Sequence, residues 1–160
     1  MGDPKEDEME SAPILICYDG SESARRAIGA AAALFGPRHA VVLDVGPSLT
    51  PAESDAAIAP VVPSADFVDL NAADALTRAG DGATRAERAG FHTVAGSRIS
   101  APAWEGVYDV ANEFDAPVIV VGSRGLTPGR ELIEGSISHD VARHAGRPVL
   151  VVPPPHDDAA

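Results

Sequence analysis

The stretch that most constrains the fold runs from Ala116 to Pro153 and reads APVIVVGSRGLTPGRELIEGSISHDVARHAGRPVLVVP. An apolar run, Val118 to Val121, leads into Gly122, Gly125 and then Gly135-Ser136. A short amphipathic stretch and a second apolar run, Val149 to Val152, follow. The order is strand, glycine-bearing loop, helix, strand, which is a crossover between parallel strands. Glycine has no Cβ and tolerates positive φ, so such a loop lets backbone N–H groups approach a phosphate closely. The following helix turns the positive end of its dipole toward the same place. A nucleotide-phosphate site is expected here, with Arg124 and Arg130 as the loop cations that neutralise phosphate charge.

The rest of the chain repeats the alternation. Pro13 to Tyr18 is a short apolar first strand, followed by Asp19-Gly20-Ser21-Glu22, where Ser21 is a good N-cap and Glu22 suits a first turn. Ala24, Ala27, Ile28, Ala31, Leu34 and Phe35 keep helical spacing until Gly36-Pro37 stops them. Ala40 to Val45 is the second strand; Asp44 within it is odd unless it lies near the strand's C-terminal end. Gly46 to Pro63 holds four prolines and reads as a linker. From Ser64 to about Gly90, Phe67, Leu70, Ala73 and Leu76 make a helical stripe, and Gly80-Asp81-Gly82 predicts a kinked or two-part helix. Phe91 to Ala95 is the third strand. Pro102 to Phe114 is a helix with Trp104, Val107, Tyr108, Ala111 and Phe114 on one face, Trp104 read as core filler. Pro117 to Val121 is the fourth strand, the last helix runs from Gly135 or Ser136 to about Ala145, and Pro148 to Val152 is the fifth strand.

Five apolar strands alternating with four helices predict a single-domain, three-layer, doubly wound α/β fold with a parallel sheet. Aromatics are only 4% of the chain, so the core is built from Val, Ile, Leu and Ala, as suits such a sheet. The domain is expected over residues 13–153, between a disordered acidic tail, 1–12, and a disordered Pro- and Asp-rich tail, 154–160. Ligands in these sheets sit beyond the carboxyl ends of the strands, where the strand order reverses. Asp19 and Gly122 mark two such ends, and they meet if the first and fourth strands are neighbours.

Several classes of function are disfavoured. A formal charge of −12 argues against nucleic acid as a partner. The single cysteine, Cys17, permits no internal disulfide, and its apolar setting makes it a buried small hydrophobe. No apolar run approaches the ~20 residues that span a bilayer, and the acidic N-terminus has no signal-peptide pattern, so no membrane partner is expected and the cytoplasm is the default. The loop is not a P-loop, for it has no G-x-x-x-x-G-K-[ST], and no G-x-G-x-x-G follows the first strand. His39, His92, His139, His144 and His156 show no metal-ligand spacing, and no dedicated catalytic base is visible.

What remains is Gly122-x2-Gly125-x9-Gly135-Ser136 between two strands. With VIVVGSRGLTPGRELIEGSISHDVARHAGRPVLVVP, the opening ILICYDGSESARRAI and the strand VVLDV, this closely resembles the ATP-binding branch of the universal stress protein family over about residues 13–153. The resemblance implies a five-stranded parallel sheet of order 3-2-1-4-5. It implies that Asp19 lies near the ribose and adenine, and that the backbone of Val45 meets the adenine. Gly122 and Gly125 would surround ribose and phosphates, and the N–H groups of Gly135, Ser136 and Ile137, with the Ser136 hydroxyl, would hold phosphates. Cys17 and Tyr18 depart from the family's frequent Pro-Thr before the aspartate. The resemblance further implies a homodimer through the 148–152 edge. The expected function is a non-enzymatic, ATP-binding stress-response regulator, with Mg²⁺ accompanying ATP through phosphate oxygens and water. Two alternatives stand beside it: a slow ATPase using the same pocket, and an interaction module with a vestigial site.

Overall fold

The computed structural model describes residues 12–46, 65–123 and 137–155. The acidic stretch 1–11, the proline-rich segment 47–64, most of the glycine loop (124–136) and the tail 156–160 lie outside the described residues. Five strands and four helices alternate: β1 Ile14–Cys17, α1 Glu22–Phe35, β2 His39–Gly46, α2 Ala65–Arg88, β3 His92–Ile99, α3 Ala103–Glu113, β4 Ile119–Gly122, α4 Ile137–His144 and β5 Val149–Val152. All pair in parallel in the order β3-β2-β1-β4-β5. The expected fold and strand order are therefore observed.

Strand alternation divides the core into two layers. Ile14, Ile16, Ala40, Val42 and Val120 face α1 and α2, with Tyr18 and Phe91 in the same cluster. Leu15, Val41, Leu43, Ile119 and Val121 face α3 and α4, where Val107, Val110, Ala111 and Val141 meet them. The β1, β2 and β4 side chains in these layers are 3% exposed or less, which is why their sequences are continuous apolar runs rather than alternating ones. α1 starts as read: Ser21 Oγ accepts from the Ala24 N–H at 3.2 Å, Glu22 stands in the first turn, and Gly36 follows the last residue at φ 65°.

Three readings are corrected. The Gly80-Asp81-Gly82 segment does not interrupt α2, which is one continuous helix from Ala65 to Arg88. The apolar stripe of that helix is not its buried face: Leu70 is 68% and Leu76 49% exposed, and Ala75, Ala79, Ala83 and Ala86 are buried instead. Small residues let the helix axis approach the sheet closely, as the tight fit of Gly82 against Tyr18 and Val42 shows. Leu34, at the end of α1, is likewise exposed. The third strand is longer than expected, reaching Ile99, because each residue from His92 to Ile99 pairs with β2.

Candidate functional site at the carboxyl ends of the strands

β1 lies between β2 and β4, so the strand order reverses there. The chain leaves β1 for β2 through α1 on one side, and β4 flanks it on the other. A crevice forms at such a switch point because the two flanking crossovers diverge to opposite faces. Register places the sequence-expected residues. Cys17 pairs with Leu43, and the Tyr18 N–H donates to the Leu43 carbonyl at 2.8 Å. Asp19 and Val45 each lie two residues beyond that last pair. Gly122 is the terminal residue of β4.

Gly122 is also where β4 touches the start of α1. A Cβ built on it would stand 2.5 Å from both C and O of Ser23 and 2.9 Å from the Ala24 nitrogen. Backbone cannot yield as a flexible side-chain tip can, so only glycine fits. This contact brings the end of β4 against the first turn of α1, the turn that Asp19 precedes. Asp19 is exposed, and its Oδ1 accepts the Ser21 N–H at 3.0 Å. Ser21 and Ser23 share a hydroxyl hydrogen bond of 3.0 Å. The carboxylate is thereby oriented by its own turn while remaining open to solvent, as a group must be to accept hydrogen bonds from a ligand hydroxyl.

The structure thus brings Asp19, Val45 and Gly122 to one end of the sheet. Ile137 begins α4 and is 37% exposed. Arg124, Gly125, Arg130, Gly135 and Ser136 lie outside the described residues.

One pair at this end escaped the sequence reading as a pair. Asp44, 4% exposed near the end of β2, is ion-paired with Arg78 Nε from α2. Its oddity in an apolar strand was the available signal; nothing local marks Arg78 as its partner, 34 residues away. Burial pushes the Asp44 carboxyl above its usual range, the Arg78 guanidinium pulls it partly back, and Asp19 adds to the rise. The Arg78 Cδ lies 3.8 Å from the Cβ position of Gly20, so its stem also reaches the Asp19-Gly20 turn. Cys17, half-buried beneath the same turn, is pushed up to about 12 by burial and then by the charges of Asp44 and Asp19. A thiol so suppressed is no nucleophile at neutral pH. Among the described residues no group of three or more His, Cys, Asp or Glu stands ready to hold a metal ion, and no helix is long and apolar enough to cross a membrane.

Comparison with known proteins gives this arrangement a context. The model of the universal stress protein family matches residues 11–153. Universal stress protein Rv1636 of Mycobacterium tuberculosis is 27% identical over 139 residues, 87% of this chain and 94% of its own length. Among solved structures, the protein MJ0577 superposes with a TM-score of 0.68 at 22% identity, covering 92% of this chain and 99% of that one. A universal stress protein solved in complex with cAMP superposes with a TM-score of 0.60 at 21% identity, covering 89% and 97%.

Proposed function

Because the chain belongs to the universal stress protein family, we propose that it binds an adenine nucleotide, ATP foremost, at the carboxyl ends of β1, β2 and β4 and works as a nucleotide-dependent regulator rather than as an enzyme. The observation that carries this reading is the meeting of the β4 end with the first turn of α1 at Gly122, beside Asp19, where the strand order reverses. A relative with this fold was solved with cAMP, which shares the adenine, ribose and phosphate chemistry of ATP.

In this reading Asp19 accepts from ribose hydroxyls, since an ionised carboxylate is acceptor-only. The backbone of Val45 meets the adenine edge. Gly122 and Gly125 leave room for ribose and phosphates, and the N–H groups of Gly135, Ser136 and Ile137 with the Ser136 hydroxyl take the phosphate oxygens at the start of α4. Asp19 adds an exposed negative charge to this end of the sheet, where the Asp44 charge is offset by Arg78. A triphosphate therefore needs Arg124 and Arg130 nearby, with Mg²⁺ carried on its own phosphate oxygens. β5 is an edge strand whose Val151 is 39% exposed, and a second copy pairing along it would cover that edge.

Calorimetric titration of nucleotide-free protein with ATP, ADP and cAMP tests the assignment. Saturable binding is expected, with GTP weaker because it lacks the adenine edge. Ser136→Ala should weaken ATP about tenfold or more, for one phosphate hydrogen bond. No measurable affinity for any adenine nucleotide would overturn the proposal, and stoichiometric phosphate release from bound ATP would overturn its non-enzymatic part. Light scattering is expected to show a dimer that Val151→Lys dissociates.

A further inference from the structure

A second candidate site lies at the opposite end of the sheet, where β2 and β3 begin. His39 opens β2 and His92 opens β3, and the two are direct partners in the parallel register. Side chains at paired positions of neighbouring strands project from the same face of the sheet. The register is firmly set here: the His92 N–H donates to the Arg38 carbonyl at 3.0 Å, and every residue from His39 to Gly46 pairs with β3. The two imidazoles stand with ring centroids 5.4 Å apart and planes 44° from parallel. Both residues are exposed. Among the described residues, neither ring takes part in a hydrogen bond or an ion pair. Arg38, the cation next to His39 in the chain, is turned to the Ala12 carbonyl, to which it donates at 2.8 Å. The eight residues of β2 separate this pair by roughly 20 Å from the end of the sheet that carries Asp19 and Val45.

We propose that His39 and His92 form a two-imidazole chelate for a divalent ion of the copper, nickel and zinc class. An imidazole nitrogen binds zinc at about 2.0–2.1 Å, so two rings on one tetrahedral ion have their centroids roughly 5 Å apart. The observed 5.4 Å is a small turn of the rings away from that arrangement. The spacing of histidines along the chain does not reveal the pair, because the two belong to different strands and only the register brings them together. Imidazole is a donor that suits copper, nickel and zinc, whereas magnesium and calcium take oxygen ligands. Exposure leaves the remaining coordination positions to water, so the site is weaker than a closed four-ligand one. The backbone ladder already holds the two strands, so binding orders only two side chains and moves no backbone. The chain's charge of −12 raises the concentration of dications around it, but the paired rings are what select this class.

Titration of the nucleotide-free full chain with copper(II) tests this. Copper should bind most tightly of the class, at micromolar concentration. The electron paramagnetic resonance spectrum of the bound ion should show coupling to two imidazole nitrogens. Zinc should displace it, and magnesium in large excess should not. His39→Gln and His92→Gln should each weaken copper about tenfold or more, since loss of a ligand costs at least as much as loss of a group that supports one. The first loss breaks a chelate, so the double variant should bind little worse than either single one. A wild-type spectrum with one imidazole or none, unchanged affinity in either single variant, fully additive losses in the double variant, or displacement of copper by magnesium would each overturn the proposal. The wild-type spectrum needs no substitution, so it decides the matter even if a variant misfolds.

Discussion

Two glycines in α2, two residues apart, should respond to the same substitution with opposite sign. Alanine is favoured over glycine inside a helix by about 1 kcal/mol, so propensity alone predicts that both Gly80→Ala and Gly82→Ala stabilise the protein. At Gly80 nothing lies within 4 Å of the added Cβ. The full propensity gain is available there, about 0.5–1 kcal/mol, which for a chain of this length raises Tm by roughly 2–3 °C. At Gly82 the added Cβ would stand 2.6 Å from two ring carbons of Tyr18 and 2.9 Å from Val42 Cγ1. Tyr18 is 3% exposed and Val42 fully buried, so neither can swing aside. Overpacking of this kind costs about 1–3 kcal/mol, and three contacts below 3.0 Å put this site at the upper end. Net destabilisation of about 2 kcal/mol is expected, a fall in Tm of roughly 4–8 °C, and the two variants should differ by about 3 kcal/mol. Urea denaturation followed by circular dichroism, with thermal melts beside it, measures both. If Gly82→Ala is as stable as the wild type, α2 does not lie against Tyr18 as described, and the close-approach argument for its alanine face fails with it.

Two further outcomes follow from the two groups under the Asp19 turn, half-buried Cys17 and buried Asp44. The Cys17 thiol, raised from 9.0 to about 12, carries about a thousandfold less thiolate at pH 8 than an unperturbed one, so Ellman's reagent should label native protein at least that much more slowly than urea-unfolded protein; rates within tenfold of each other would refute the burial. Asp44 has a folded pKa above its unfolded value near 3.8, so its contribution to stability is present below that pH and lost as pH rises through the folded pKa. Asp44→Asn cannot ionise, and Arg78, 40% exposed, can turn to water, so the stability of the variant relative to the wild type should increase between about pH 3 and pH 7. A difference in urea midpoint that stays flat or shrinks over that range would show that the Arg78 pairing outweighs desolvation.

Much of this protein was determined by sequence alone. Continuous Val/Ile runs bounded by glycine and proline mark strands buried on both faces, and four intervening helical stretches compel parallel crossovers; that is a local property of hydrophobic period and chain length. Ser21 as the α1 cap and Gly36 at its end were equally legible, because capping depends on residues within one turn. Asp19 and Gly122 could be named as chemistry-bearing ends, since polar and glycine residues after apolar runs stand out. Tertiary structure alone decided whether those ends meet. Gly82 reads in sequence as a helix breaker and acts in the fold as the gap that Tyr18 and Val42 fill. Leu70 and Leu76 form the obvious apolar stripe, yet the sheet takes the alanine face of α2, because the distance between helix and sheet is set by the smallest residues that can meet. Asp44 was visibly out of place in an apolar strand, but its compensation by Arg78 depends on a contact between elements far apart in sequence, which no local pattern encodes.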